Sequence, residues 1–195
     1  MASQTVREKS SFMLQMESSL GLSNSSNRKF LIAQATLRVL IIAFIVVAIS
    51  VMVTSVQSIV LFGFTFKARY SYSSAFKFLV GAEAVVCVFS ALSLIFVYIL
   101  MNRSEPESHL TSYFLLFLHD LVMMILMTSG CAAATAVGYI GRYGEEQSGW
   151  GAVCDRVGKF CNRTLVSLVF SYLAFFAYLA LTIVSASKLM PRATE

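Results

Sequence analysis

This sequence predicts an all-α integral membrane protein, a bundle of four spanning helices, and three observations point to it. The chain is 57% hydrophobic and only 13% charged, with a mean hydropathy of +0.75, whereas a soluble domain carries roughly 25% charged residues. Four apolar runs, residues 30–55, 78–101, 110–139 and 164–187, each reach the length of about 20 residues that a helix needs to cross the hydrocarbon core. Short polar connections separate them, above all residues 102–109 with Pro106, and so brief a link joins antiparallel neighbours.

Taken in order, residues 1–28 are polar and serine-rich with a mild positive bias, and cannot build a core. They predict a mobile cytoplasmic tail, with phosphorylation or partner docking as its sharper alternative role. A signal peptide does not fit, because the apolar block arrives late and exceeds a 7–15-residue apolar region. The membrane domain is therefore residues 29–188, with a short cytoplasmic tail at 189–195. Within it, residues 56–77 read as a loop dense in Phe, Tyr and Lys, including Phe64 and Tyr70; such aromatics sit at the headgroup level or meet a partner. The second span carries Glu83 near its first end, within reach of water or a hydroxyl group. On the third span, Asp120, Met124, Met127, Cys131, Ala134 and Gly138 share one face at 100° per residue. Gly130, Ala134 and Gly138 recur there at intervals of four, the spacing at which membrane helices pack closely. Residues 140–163 form a glycine-rich polar loop with Trp150, Cys154 and Cys161. The two cysteines are seven apart, compatible with a local disulfide, with free thiols or intermolecular bridges as the alternative.

An even number of spans puts both termini on one side, but a count of cations does not say which. Arg38 apart, seven Lys/Arg lie on the terminal side and seven on the other. Two features break the tie. Arg28 and Lys29 abut the first span, which usually dominates topology, and the cysteine-bearing loop would lie in an oxidising space if extracellular. Cytoplasmic termini follow.

The anomaly of the first span is Arg38, which helix rise carries about 13 Å past Lys29. An arginine near the centre of a span costs roughly 2.5–3.5 kcal/mol on insertion scales, so a partner is expected. Asp120 on the third helix lies at the same depth within about 3 Å, whereas Glu83 is about 13 Å away along the membrane normal. A bidentate Arg38–Asp120 pair tying the first helix to the third is the expectation. The competing reading is a small channel or transporter using Asp120, His119 and Glu83 as an ion path.

Other chemistry finds no support in the residues. His109 and His119 lack metal-ligand spacing, and phosphate-binding or hydrolase motifs are missing, so the expectation is no catalytic residue, metal or cofactor. The net charge of +5 reads as topology signal, and no basic patch suggests nucleic acid. Cys87 and Cys131 behave as small apolar residues within spans.

Arg38 in the first helix, Asp120 in the third, Trp150 before Cys154 and Cys161, and the segment YSYSSAFKFLV from Tyr70 resemble the Casparian strip membrane domain protein-like (CASP-like) family of plants. The resemblance covers roughly residues 28–188. It implies a plasma-membrane scaffold, related to MARVEL-type four-span proteins, that forms homo- and hetero-oligomers with family members in stable membrane domains. Founding members of the family recruit the enzymes that polymerise lignin into the wall. Here the first outer loop, residues 58–77, lacks their longer acidic and aromatic signature, which favours a "-like" member. The expectation is thus a non-enzymatic scaffold among membrane lipids that presents Phe64, Tyr70 and Trp150 to partners such as cell-wall enzymes.

Overall fold

A computed structural model describes residues 2–61, 64–102, 109–145, 147 and 149–189. Pro106 and the last six residues of the expected tail lie outside these. Four long helices dominate: α1 (Ala2–Thr54), α2 (Ser74–Asn102), α3 (His109–Tyr143) and α4 (Gly158–Leu189). Each is long and apolar enough to span a membrane, in α1 over Arg28–Thr54. The backbone of α1 is helical from Ala2 onward, so the serine-rich segment is continuous with the first span rather than a separate irregular stretch.

The loop expected between the first two spans is instead a β-hairpin. Strands β1 (Val56–Leu61) and β2 (Phe64–Arg69) pair antiparallel, with Val56 opposite Arg69 and Leu61 opposite Phe64. VQSIVL and FTFKAR are rich in β-branched and aromatic residues, which suit a pleated ribbon. A single 3-10 turn, Tyr70–Tyr72, then leads into α2.

Buried positions follow one rule in all four helices. On α1, Phe30 apart, they are Leu31, Gln34, Arg38, Ile41, Ile45, Ala48 and Met52, alternating in steps of three and four. Tyr113, Leu116, Asp120, Met123, Met127, Gly130 and Ala134 do the same on α3, with Cys131 buried beside Gly130. This is the seam of helices packed nearly parallel by knobs into holes. The outward faces are as apolar as the seam, with Val39, Val88, Leu92, Val122 and Ile183 exposed, as lipid contact requires. Hydrophobic periodicity is therefore weak, and the seam is marked by its polar residues instead. Helices neighbour one another in chain order around the bundle, α4 closing on α1; α1 therefore faces α3, and α2 faces α4, across the middle.

The link from α3 to α4 is tightly built. Gly144 ends α3 in the left-handed region (φ +74°), its N–H returning to Ile140 O at 2.8 Å, the usual glycine termination. A Cβ there would meet Trp150 O at 2.7 Å, so only glycine fits. Glu145 and Trp150 then exchange two backbone hydrogen bonds.

Candidate functional site

Polar side chains join the bundle across both diagonals. On the first, Arg38 of α1 and Asp120 of α3 form a fully buried ion pair. The geometry departs from the expected fork: Nη2 alone donates to both carboxylate oxygens, at 2.8 and 2.9 Å. Nε and Nη1 have no hydrogen-bond partner. Below this pair Gln34 donates to Ser185 of α4 at 2.7 Å and offers its Oε1 to Arg38 Nη2 at 3.4 Å.

On the second diagonal, Ser90 of α2 meets Tyr178 of α4. The Ser90 hydroxyl donates to Val86 O at 2.7 Å, which leaves the tyrosine hydroxyl to donate to Ser90 Oγ. Helix rise puts both crossings about 15–18 Å from the end of the bundle where α1 enters and α4 leaves, so they share one layer. A second layer lies roughly 10 Å farther on, where the Ser171 hydroxyl of α4 donates to Glu83 Oε1 of α2. Ser167 beneath it donates to Ala48 O of α1 at 2.7 Å. Glu83 is thus fully buried against the hydroxyl its position anticipated, with Oε2 left unpartnered.

Of the small residues on α3, Gly130 and Ala134 lie in the seam. A Cβ on Gly130 would come within 3.2 Å of Leu79 Cδ1, so α2 and α3 approach closely there. Gly138 does not take part, since a Cβ there would meet nothing within 4 Å. Each step of four residues turns a helix by about 40°, and two such steps carry Gly138 off a seam that alternates three and four.

At the loop end, Cys154 and Cys161 form a disulfide that ties the α3–α4 link to the first turns of α4. The hairpin docks on the same helix: Gln57 Oε1 accepts from Phe160 N at 2.9 Å, satisfying one of the free N–H groups of the α4 N-terminus. Trp150 is 68% exposed and Tyr72 76%. Tyr70 is half-buried and packs on the core, and the side chain of Phe64 lies outside the described ones. Among the described residues, no group of three or more His, Cys, Asp or Glu is placed to hold a metal ion.

The model of the Casparian strip membrane protein domain matches residues 27–177, a stretch that takes in α2 and α3 whole, the spanning part of α1, the first two-thirds of α4 and the buried ion pair. The chain belongs to this family. Among curated relatives it is 60% identical over 162 residues to CASP-like protein 1F2 of Ricinus communis, covering 83% of this chain and 80% of the relative. It is 48% identical over 192 residues to CASP-like protein 1F3 of Populus trichocarpa, covering 98% of each. CASP-like protein 1F2 of Vitis vinifera is 49% identical over 176 residues, or 88% and 90% of the two chains. No solved structure matches.

For this CASP-like chain, sequence reasoning found the charged members of the polar layers and passed over the neutral ones. Gln34, Ser90, Ser167, Tyr178 and Ser185 are as enclosed as the charges, yet a serine in an apolar run looks unremarkable. The signal was their register: Gln34 falls on the three-and-four alternation that runs through Arg38, Ser90 on the one through Glu83, and Ser167, Tyr178 and Ser185 share one along α4.

Proposed function

We propose that this chain is a non-enzymatic plasma-membrane scaffold with both termini in the cytoplasm. In this reading it self-associates, alone and with related family members, into membrane domains, and its outer loops recruit cell-wall-modifying partners. The observation that carries the reading is where its intramembrane polarity goes. Arg38, Asp120, Glu83, Gln34, Ser90 and Tyr178 are turned into the bundle and bonded across it, which holds four helices in one arrangement. Meanwhile the outward faces stay apolar and free to meet lipid or other helices. The disulfide in the α3–α4 link supports an oxidising, extracellular surrounding for that end. Exposed Trp150 and Tyr72 at the same end supply aromatic anchors of the kind protein interfaces favour.

The experiment is single-molecule photobleaching of fluorescent full-length protein in supported bilayers, with recovery after bleaching of dense patches. A scaffold gives multi-step bleaching and slow recovery at low surface density. Single steps and free diffusion at every density overturn it. Proton or ion flux into proteoliposomes, abolished by Asp120→Asn, would favour conduction instead.

A further inference from the structure

With both termini in the cytoplasm, the charge of this chain runs against expectation. Cytoplasmic loops ordinarily hold the excess of Lys and Arg. Here seven stand on each side of the membrane. The loop end sets its seven against only three carboxylates, Glu145, Glu146 and Asp155, whereas the terminal side sets its seven against five. Insertion does not call for cations at the loop end, so they need another reason.

The fold gathers them. Lys67 and Arg69 stand two apart on β2, opposite Ser58 and Val56. Gln57, on the other face of the ribbon, docks on Phe160 N, so both cations turn away from α4 and are exposed. Lys77 lies in the first turn of α2, where the Phe76 ring meets that of Phe160 at 6.4 Å. Arg156 and Lys159 lie within the loop closed by the Cys154–Cys161 disulfide. Arg163 follows on α4, its Nη1 3.5 Å from Thr54 O at the end of α1, and Arg142 lies in the last turn of α3. All seven are exposed, and among the described residues none pairs with a carboxylate. Exposed rings stand beside them. Tyr143 follows Arg142, its ring centroid 4.9 Å from that of Tyr139, and Tyr139, Tyr143 and Trp150 are 61–68% exposed.

Cations spread over a hairpin, two helix starts and a helix end suit a repeated anion better than a single phosphate. A uronic acid polymer repeats one carboxylate per sugar ring, and the C–H groups of that ring can lie on the negative face of an aromatic side chain. Phospholipid headgroups carry the anion without such a ring face. We infer that the loop end binds an acidic polysaccharide, a chain of uronic acid rings, whose carboxylates meet the cations while its ring faces cover Trp150 and Tyr143. Each exposed ion pair contributes little alone, and many along one polymer add by multivalency. This inference rests on the outward orientation of the loop end and needs no self-association.

The test uses full-length protein in phosphatidylcholine nanodiscs, which leave both ends of the bundle open, with fluorescent polygalacturonate as the probe. Binding by anisotropy should saturate and weaken as salt rises. It should be about tenfold weaker for the methyl-esterified polymer, which keeps the rings and loses the charge. The fourfold variant Lys67→Gln, Arg69→Gln, Arg156→Gln and Lys159→Gln should lose about tenfold in affinity while melting as wild type does, as for four exposed ion pairs. Trp150→Ala should lose about threefold. Arg28→Gln with Lys29→Gln, at the other end, should leave binding unchanged. Equal binding of the charged and esterified polymers, full affinity in the fourfold variant, or an equal loss from the pair at the other end overturns the inference. Retention of phosphatidylserine vesicles in place of the polymer assigns the surface to an anionic membrane and overturns it too. Orientation is read separately, on Gln147→Cys in a chain freed of its thiols by Cys87→Ala and Cys131→Ala. A membrane-impermeant maleimide should label it in intact cells. Labelling only after permeabilisation overturns the orientation and this inference together, whereas failed polymer binding with labelling from outside overturns the inference alone.

Discussion

Both oxygens of Asp120 rest on a single nitrogen of Arg38, Nη2, at 2.8 and 2.9 Å. The rest of the guanidinium is buried without a hydrogen-bond partner. The charge therefore matters more here than the planar fork, which distinguishes this pair from bidentate arginine–carboxylate contacts.

Removing one partner leaves the other charge uncompensated in the bundle. We predict that Arg38→Met and Asp120→Leu each cost about 3–5 kcal/mol, the range found when buried pairs are broken in soluble cores. The double variant Arg38→Met with Asp120→Leu should recover most of that loss. Arg38→Lys, which keeps a point charge, should stay closer to wild type than Arg38→Met. Thermal unfolding in detergent measures all four. A double variant no better than the singles would refute direct coupling of the two residues.

The neutral diagonal should behave as a coupled unit too. Tyr178→Phe removes the hydroxyl that meets Ser90, and Ser90→Ala removes its acceptor. Each should destabilise by about 1–2 kcal/mol, as expected of a buried hydrogen bond. The double variant should lose clearly less than the two singles together, a non-additivity expected of residues in contact. Additive losses in an unfolding cycle would place the two hydroxyls apart.

What could be read in advance follows from what lipid does to sequence patterns. Spans announce themselves by length and apolarity, and the depth match of Arg38 with Asp120 follows from helix rise alone. The seam was harder, because lipid-facing and core-facing residues are equally apolar and periodicity carries little signal. The face drawn from Asp120 at 100° per residue stepped first by four, to Met124, and ended on Gly138; the structure buries Met123 and leaves Gly138 off the seam. Packed helices alternate threes and fours, and only the polar residues reveal the phase. The hairpin was missed for another reason. Aromatic density in Phe64, Phe66 and Tyr70 suggested a headgroup belt, masking the β-propensity of the same residues.

Close packing of α2 on α3 is concentrated at one glycine, which separates two substitutions that sequence spacing treats as equal. At Gly130 a Cβ would lie 3.2 Å from Leu79 Cδ1 and 3.5 Å from Leu79 Cα. Gly130→Val should push the helices apart and cost about 1–3 kcal/mol by overpacking. Gly138→Val meets nothing within 4 Å and should stay within about 0.5 kcal/mol of wild type. Equal losses at both sites in the unfolding assay would argue against the seam described.

The loop end offers a substitution whose effect comes from backbone alone. Gly144→Ala must hold an alanine at φ +74° with its Cβ 2.7 Å from Trp150 O. Left-handed backbone at a non-glycine residue costs about 1 kcal/mol or more, and the clash adds to it. The Glu145–Trp150 pairing should open in response, while the spans keep their register because the buried diagonals lie far along the helices. Hydrogen exchange by mass spectrometry resolves the two regions. Faster exchange confined to about residues 141–154 is the expected pattern, whereas faster exchange in the spans, or none anywhere, would mean that this turn does not set the α3–α4 link.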